Sequence, residues 1–320
     1  MYGELSVFTG TTHPALAQAV CDYLRVPLGN VEVNEFSNEN IFVKFNDPVR
    51  SRDVFIIQSG ASPVSRSVME LLIMLDAAKR ASAGRITAVV PYFTYGRTDK
   101  KDQPRVPITA RLLADLYTVA GANRVLTVDL HAGQIQGFFS IPVDELTAVY
   151  LMSRYFVKKQ LSDPVVVCEL GFAKRGRNFA ELLGVPLAII EKRRVGNSGS
   201  SELMSIIGDV RGKQAVIIDD EIDTAGSIIN AVAALQRDGV AEIYACCSHA
   251  VFSGPAVKRL RESPIKEIIV TDTLPLPAEK QMPQLTVLSL APLIGETIAR
   301  IHAGSSVSSI YEYMGYDRSK

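Results

Sequence analysis

The chain has 320 residues, 34 Lys and Arg against 34 Asp and Glu for a formal net charge of zero, and 47% hydrophobic residues. That balance excludes disorder, which needs low hydrophobicity and high net charge, and offers no overall basic field for nucleic acid. No apolar run reaches the ~18–20 residues of a membrane helix, and the start MYGELSVFTG lacks the basic and apolar segments of a secretory signal.

The length suggests about two domains. Cys21, Cys168, Cys246 and Cys247 are too few and too unevenly spaced for a disulfide framework or a zinc site. Each sits in an apolar segment and reads as a buried free thiol. A two-domain cytoplasmic protein, with no nucleic-acid or membrane partner, is the expectation.

In chain order, segments 53–57 (DVFII), 86–90 (ITAVV) and 124–129 (RVLTVD) predict buried strands. Between the first two, Val68, Leu71, Leu72, Leu75 and Ala78 fall at helical spacing. A second helix is expected from about Ile108 to Val119. The later half repeats the rhythm, with strands at 165–168, 187–190, 215–219 and 242–246 and helices near 173–183 and 227–238. Nearly continuous apolar strands alternating with helices predict an α/β protein with mainly parallel sheets flanked by helices. Two passes predict two similar domains, 1–145 and 146–304, with the tail 305–320 packing on the first. In such sheets ligands bind beyond the carboxyl ends of the strands.

The strongest local pattern is 216–227, VIIDDEIDTAGS, ahead of a helix. An apolar strand runs into acids, then into a small-residue turn where unpaired helix N–H groups favour an anion. Thr224, Gly226 and Ser227 offer hydroxyls and close backbone approach. Asp219 and Asp220 would repel a phosphate, so they suit sugar hydroxyls or a cation accompanying the phosphate. The bland alternative is an acidic strand end with an ordinary Thr cap.

This arrangement resembles the phosphoribosyl-diphosphate loop of type I phosphoribosyltransferases. The resemblance implies ribose 5-phosphate bound at Asp219, Asp220, Asp223, Thr224, Ala225, Gly226 and Ser227. Further segments narrow the family: 69–74 (MELLIM), 91–101 (PYFTYGRTDKK), 107–110 (PITA), 128–139 (VDLHAGQIQGFF), 191–194 (EKRR), 244–249 (YACCSH) and 252–256 (FSGPA). From about residue 5 to the SVSSI at 306–310, the chain resembles ribose-phosphate pyrophosphokinases. That resemblance implies Mg²⁺-dependent transfer of the β,γ-diphosphoryl group of ATP to the 1-hydroxyl of ribose 5-phosphate, with release of AMP. It also implies two phosphoribosyltransferase-like domains and self-association into hexamers or another dimer-based assembly. A catalytically weak regulatory homologue and a nucleobase phosphoribosyltransferase are the alternatives, and the second would not need segments 91–101 and 128–139.

By the same resemblance Lys192 is the catalytic lysine and Arg194 takes part in catalysis and contacts ribose 5-phosphate, just before the Gly/Ser-rich stretch 195–201. Taken alone, Lys-Arg-Arg is a solvated charge run. Arg97, Thr98 and Asp99 match the ATP-contacting turn, although the family commonly has Gln where Thr98 stands. Phe36, Asn38, Glu39 and Asn40 match the adenine-contacting loop that reaches a neighbouring subunit, with Asn38 and Asn40 in place of acids. A polar turn is the bland reading of that segment. His131 matches a metal-associated histidine. The second metal-associated residue, the Asp of a Pro-Asp pair, is missing after the 165–167 strand, and Glu169 is the carboxylate left to replace it. Arg50 matches an allosteric phosphate or ADP contact; an exposed basic turn is its alternative.

Overall fold

The computed structural model describes residues 3–194 and 202–313, with side chains left out at 192–194, 202–203 and 312–313. The stretch 195–201 and the side chains of Lys192 and Arg194 thus lie outside the described residues. The chain forms two compact units.

The first unit begins with β1 (Leu5–Thr9), α1 (Pro14–Leu24), β2 (Val31–Glu35), β3 (Ile41–Phe45), β4 (Asp53–Ile57), α2 (Val64–Arg80) and β5 (Arg85–Val90). It continues with α3 (Thr109–Ala120), β6 (Arg124–Val128) and β7 (Val143–Leu146). Strands β1, β4, β5, β6 and β7 form a parallel sheet in that order, while β2 and β3 make a separate antiparallel pair. Every residue of β4 is buried, which is why its sequence shows no alternation. Helix α2 turns Val68, Leu71, Leu75 and Ala78 into that core, as their spacing predicts.

The second unit holds α4 (Val149–Lys159), β8 (Pro164–Glu169), α5 (Ala173–Leu183), β9 (Leu187–Arg194), β10 (Glu202–Ile207) and β11 (Gln214–Ile222). It then runs through α6 (Gly226–Arg237), β12 (Glu242–Ala250), α7 (Ala256–Arg261), β13 (Ile265–Thr271) and β14 (Leu285–Leu288). The sheet order is β10-β9-β8-β11-β12-β13-β14, parallel except for the β9–β10 pair. Val165, Val167, Ile217, Ala245 and Ile268 supply its core beneath Leu235 of α6.

The expectation of a second domain reaching residue 304 differs from the observed division. Residues 273–275 and everything described from Ser289 onward group with the first unit, including α8 (Ala291–Ala303) and α9 (Ile310–Tyr313). The cause is local packing. Helix α8 lies on α1, where a Cβ at Gly295 would stand 2.5 Å from Cδ1 of Tyr23. The Tyr23 hydroxyl donates to Glu296 Oε2 at 3.1 Å. At the far end of α8, His302 Nδ1 meets Asp53 Oδ2 at 2.8 Å.

All four cysteines are buried free thiols, as expected. Burial pushes the Cys21 thiol up to about 11 and that of Cys168 up to about 12, leaving both protonated and unreactive at neutral pH.

Candidate active site

Strand β11 carries the buried Ile217 and Ile218 directly into Asp219, Asp220 and Glu221. After Ile222 the chain turns through Asp223 and Thr224 to Ala225, which occupies the N-cap position of α6 in the left-handed region at φ 61. No side chain caps the helix through this residue, whereas an ordinary Thr cap would have satisfied one of the first N–H groups. Left-handed backbone costs an alanine roughly 1–2 kcal/mol, and it is held because Ala225 is itself buried. Thr224 and Ser227 flank it as exposed hydroxyls, at the positive end of the helix dipole.

The segment after β12 holds this turn from outside. Phe252 N donates to Ile222 O at 3.0 Å and Ser253 N to Asp223 O at 3.0 Å. The Ser253 hydroxyl donates to Asp223 Oδ1. Arg259 Nη1 donates to Thr224 O at 3.0 Å.

The acids at the strand end are mutually loaded. Burial first, then the adjacent Asp220, holds the Asp219 carboxyl well above the ordinary carboxylate range, and Glu169 adds to the effect. Glu169 ends β8, which runs parallel beside β11 in the register Val166↔Val216, so neighbouring strand ends bring the carboxylates together. The backbone N–H of Asp220 relieves part of the load by donating to Asp219 Oδ1 at 2.9 Å.

A sign follows for stability. An acid raised on folding penalises the folded state once it ionises, and the penalty fades as pH falls through the folded value. Asp219→Asn should therefore raise the melting temperature of the ligand-free protein by a few degrees at alkaline pH, with the gap to wild type narrowing as pH falls toward the ordinary carboxylate value of about 4. Thermal scans across that range check it, and a variant less stable than wild type at the alkaline end contradicts it.

In the first unit, the turn after β5 and the end of β6 come together. Tyr95 adopts φ 60, and Thr98 N donates to Tyr95 O at 2.9 Å. A Cβ at Gly96 would stand 3.3 Å from Cβ of His131, so the turn carrying Arg97 lies directly beside that histidine. Arg97 and His131 are exposed and Thr98 is half-buried. Asp99 is buried and accepts Gln134 Nε2 at 3.2 Å, which ties the turn to the segment after His131.

The loop 36–40 is the tip of the β2–β3 hairpin and is exposed throughout. Phe36 is 55% exposed, its ring centroid 5.9 Å from that of Phe42. Glu39 turns the chain at φ 66, and Asn38 Oδ1 accepts from Asn40 N at 3.2 Å, so one amide oxygen is spent on the turn. Arg50 is exposed, its backbone bridged to Ala83.

Among the described residues no three His, Cys, Asp or Glu side chains form a metal cage. His131 belongs to the first unit and Glu169 to the second. No helix among the described residues is long and apolar enough to cross a membrane.

Comparison with known proteins gives this geometry its context. Residues 5–121 match the N-terminal domain of ribose phosphate pyrophosphokinase and residues 195–312 the phosphoribosyl synthetase-associated domain. Ribose-phosphate pyrophosphokinase of Caldanaerobacter subterraneus subsp. tengcongensis is 52% identical over 310 residues, covering 96% of this chain and 98% of that protein. The chain belongs to the ribose-phosphate pyrophosphokinase family. The family protein of Clostridium acetobutylicum is 51% identical, covering 97% of this chain and 98% of its own. The crystal structure of phosphoribosylpyrophosphate synthetase from Mycobacterium smegmatis matches with a TM-score of 0.90 at 43% identity, covering 95% of this chain and 100% of that one. Family membership agrees with the α/β class read from the strand–helix alternation.

One residue of the loop's surroundings escaped the sequence reading. Arg259 lies 35 residues beyond Thr224 and just outside the FSGPA segment, so nothing local ties it to the phosphate turn.

Proposed function

We infer that the chain is a ribose-phosphate diphosphokinase, moving the β,γ-diphosphoryl group of ATP to the 1-hydroxyl of ribose 5-phosphate and releasing AMP. The observation that carries this reading is the N-terminus of α6, whose N-cap Ala225 provides no side-chain cap, behind the acid-rich end of β11, in a chain that belongs to this family along its length. The 5-phosphate takes the first-turn N–H groups and the hydroxyls of Thr224 and Ser227. Asp219 and Asp220 accept hydrogen bonds from the ribose hydroxyls, a task that suits acceptor-only groups. Lys192 and Arg194 neutralise the migrating group, and Arg97, Thr98 and Asp99 form the turn that serves ATP. Phe36 provides a face for adenine, with Asn38, Glu39 and Asn40 as its polar neighbours. Phosphoryl transfer of this kind depends on positioning and charge neutralisation more than on covalent help.

The carboxylates at the ends of β8 and β11 fit a divalent cation, because the crowding that raises Asp219 is the kind a positive charge relieves. Mg²⁺ commonly takes one or two carboxylates and completes its shell with water and substrate phosphates. Glu169 in the second unit and, separately, His131 in the first are the side chains assigned to Mg²⁺, which would supply charge neutralisation at the phosphates. A homo-oligomer of hexameric or dimer-based form, acting in the cytoplasm, completes the proposal. Arg50 is assigned to an effector site for phosphate or ADP.

The test is direct. Purified protein with ATP, Mg²⁺ and ribose 5-phosphate should form AMP and phosphoribosyl diphosphate in equal amounts. No AMP at any Mg²⁺ or phosphate level would instead favour a regulatory homologue, the reading suggested by Cys168-Glu169-Leu170 standing where the family has its Pro-Asp pair.

A further inference from the structure

The stretch 216–227 contains four acids, Asp219, Asp220, Glu221 and Asp223, and no cation of its own. A dianionic sugar phosphate placed there meets helix N–H groups and hydroxyls, but also nearby negative charge. Arg259 supplies the missing sign. It stands on α7, a short helix anchored by Ala256 and Leu260, both fully buried, and this anchoring turns Arg259 to the exposed side. Its Nη1 donates to Thr224 O at 3.0 Å and would lie 3.6 Å from a Cβ at Gly226, so the guanidinium rests on the turn itself. Among the described residues it has no carboxylate partner within salt-bridge distance. A guanidinium carries five donors, and one carbonyl uses a single one of them.

We propose that Arg259 is a positioning residue for ribose 5-phosphate: it fixes the Thr224 carbonyl, and with it the left-handed Ala225, while placing a positive charge beside the phosphate turn. The inference rests on the assignment of this turn to ribose 5-phosphate. The hydrogen bond selects the backbone conformation in which the helix N–H groups face an anion. The charge offsets the acids that the sugar hydroxyls require. Charge and hydrogen bond act at one substrate only, which separates this role from general stabilisation.

Steady-state kinetics with each substrate varied in turn test it. Arg259→Ala and Arg259→Gln should each raise KM for ribose 5-phosphate about tenfold, as expected for a lost charge-assisted contact. KM for ATP, kcat and the melting temperature should stay near wild type, and Arg259→Lys should recover most of the loss. An unchanged KM for ribose 5-phosphate in Arg259→Ala, or a parallel rise for both substrates, overturns the proposal. Wild-type behaviour of Arg259→Gln also overturns it, because that residue keeps a donor and lacks the charge. Thr224→Val provides the separate check on the turn. If it raises KM for ribose 5-phosphate while Arg259→Ala does not, only the role of Arg259 fails. If neither moves it, the assignment of the turn fails as well.

Discussion

Replacing Lys192 with alanine should lower kcat for phosphoribosyl diphosphate formation by roughly 10³-fold while moving the melting temperature by no more than about two degrees. The migrating diphosphoryl group carries several negative charges, and attack by a sugar hydroxyl brings further electron density toward it. A cation that meets this charge in the transition state lowers the barrier in a way that water, which must reorganise, does not. Lys192 pairs with Met204 through the β9–β10 ladder, and that ladder uses backbone groups that alanine retains. The loss should therefore appear in kcat, with KM for ribose 5-phosphate little changed. Lys192→Arg separates charge from geometry: it keeps the charge but presents a planar fork on a different stem, and should recover only part of the activity. Activity within tenfold of wild type in Lys192→Ala would remove Lys192 from the chemistry and return 192–194 to a solvated charge run.

What the sequence made legible is the part of the site built from neighbours in the chain. The run from Val216 to Ser227 passes from apolar strand to acids to small residues within a dozen positions, and each step has a local physical meaning. The strand and the turn at Ala225–Gly226 both lie where that pattern places them. The left-handed φ of Ala225 is different in kind. Alanine has no intrinsic preference for that region, so the conformation comes from burial and from Phe252, Ser253 and Arg259, which are distant in sequence. The same reason hides the placement of α8. Its apolar stripe says that one face is buried, and the partner is named only by contacts such as His302 with Asp53, 249 residues apart. Strand β9 gives a third case. Its apolar run ends at Ile190, yet pairing with β10 carries it on through Arg194, and apolarity alone does not reveal such a partner.

The largest effect on folding is expected at Asp53. Asp53 and Arg85 begin β4 and β5 in direct register, at the ends of the strands away from the Arg97 turn. Asp53 is fully buried and takes a forked pair from Arg85, Nε to Oδ1 at 2.8 Å and Nη2 to Oδ2 at 2.6 Å. His302 Nδ1 lies 2.8 Å from the same carboxylate, and because an ionised carboxylate only accepts, that nitrogen carries the proton. Arg85 Nη2 also donates to Ile301 O at 2.9 Å, so the cluster joins the sheet to the end of α8. With both charges paired, the cluster adds modest net stability. Removing Asp53 takes the forked carboxylate partner from the Arg85 side chain, which is only 12% exposed. Asp53→Ala should therefore cost about 3–5 kcal/mol in denaturant titration. Asp53→Asn, which keeps the shape and one acceptor, should cost less. The double variant Asp53→Leu with Arg85→Met should recover more than half of the loss, because it removes both charges instead of stranding one. Below its unfolding transition Asp53→Ala should keep wild-type KM values for ATP and ribose 5-phosphate. A cost under about 1 kcal/mol would mean that water reaches Arg85 once Asp53 is gone, and that α8 is held by its apolar stripe of Leu293, Ile294, Ile298 and Ile301 instead.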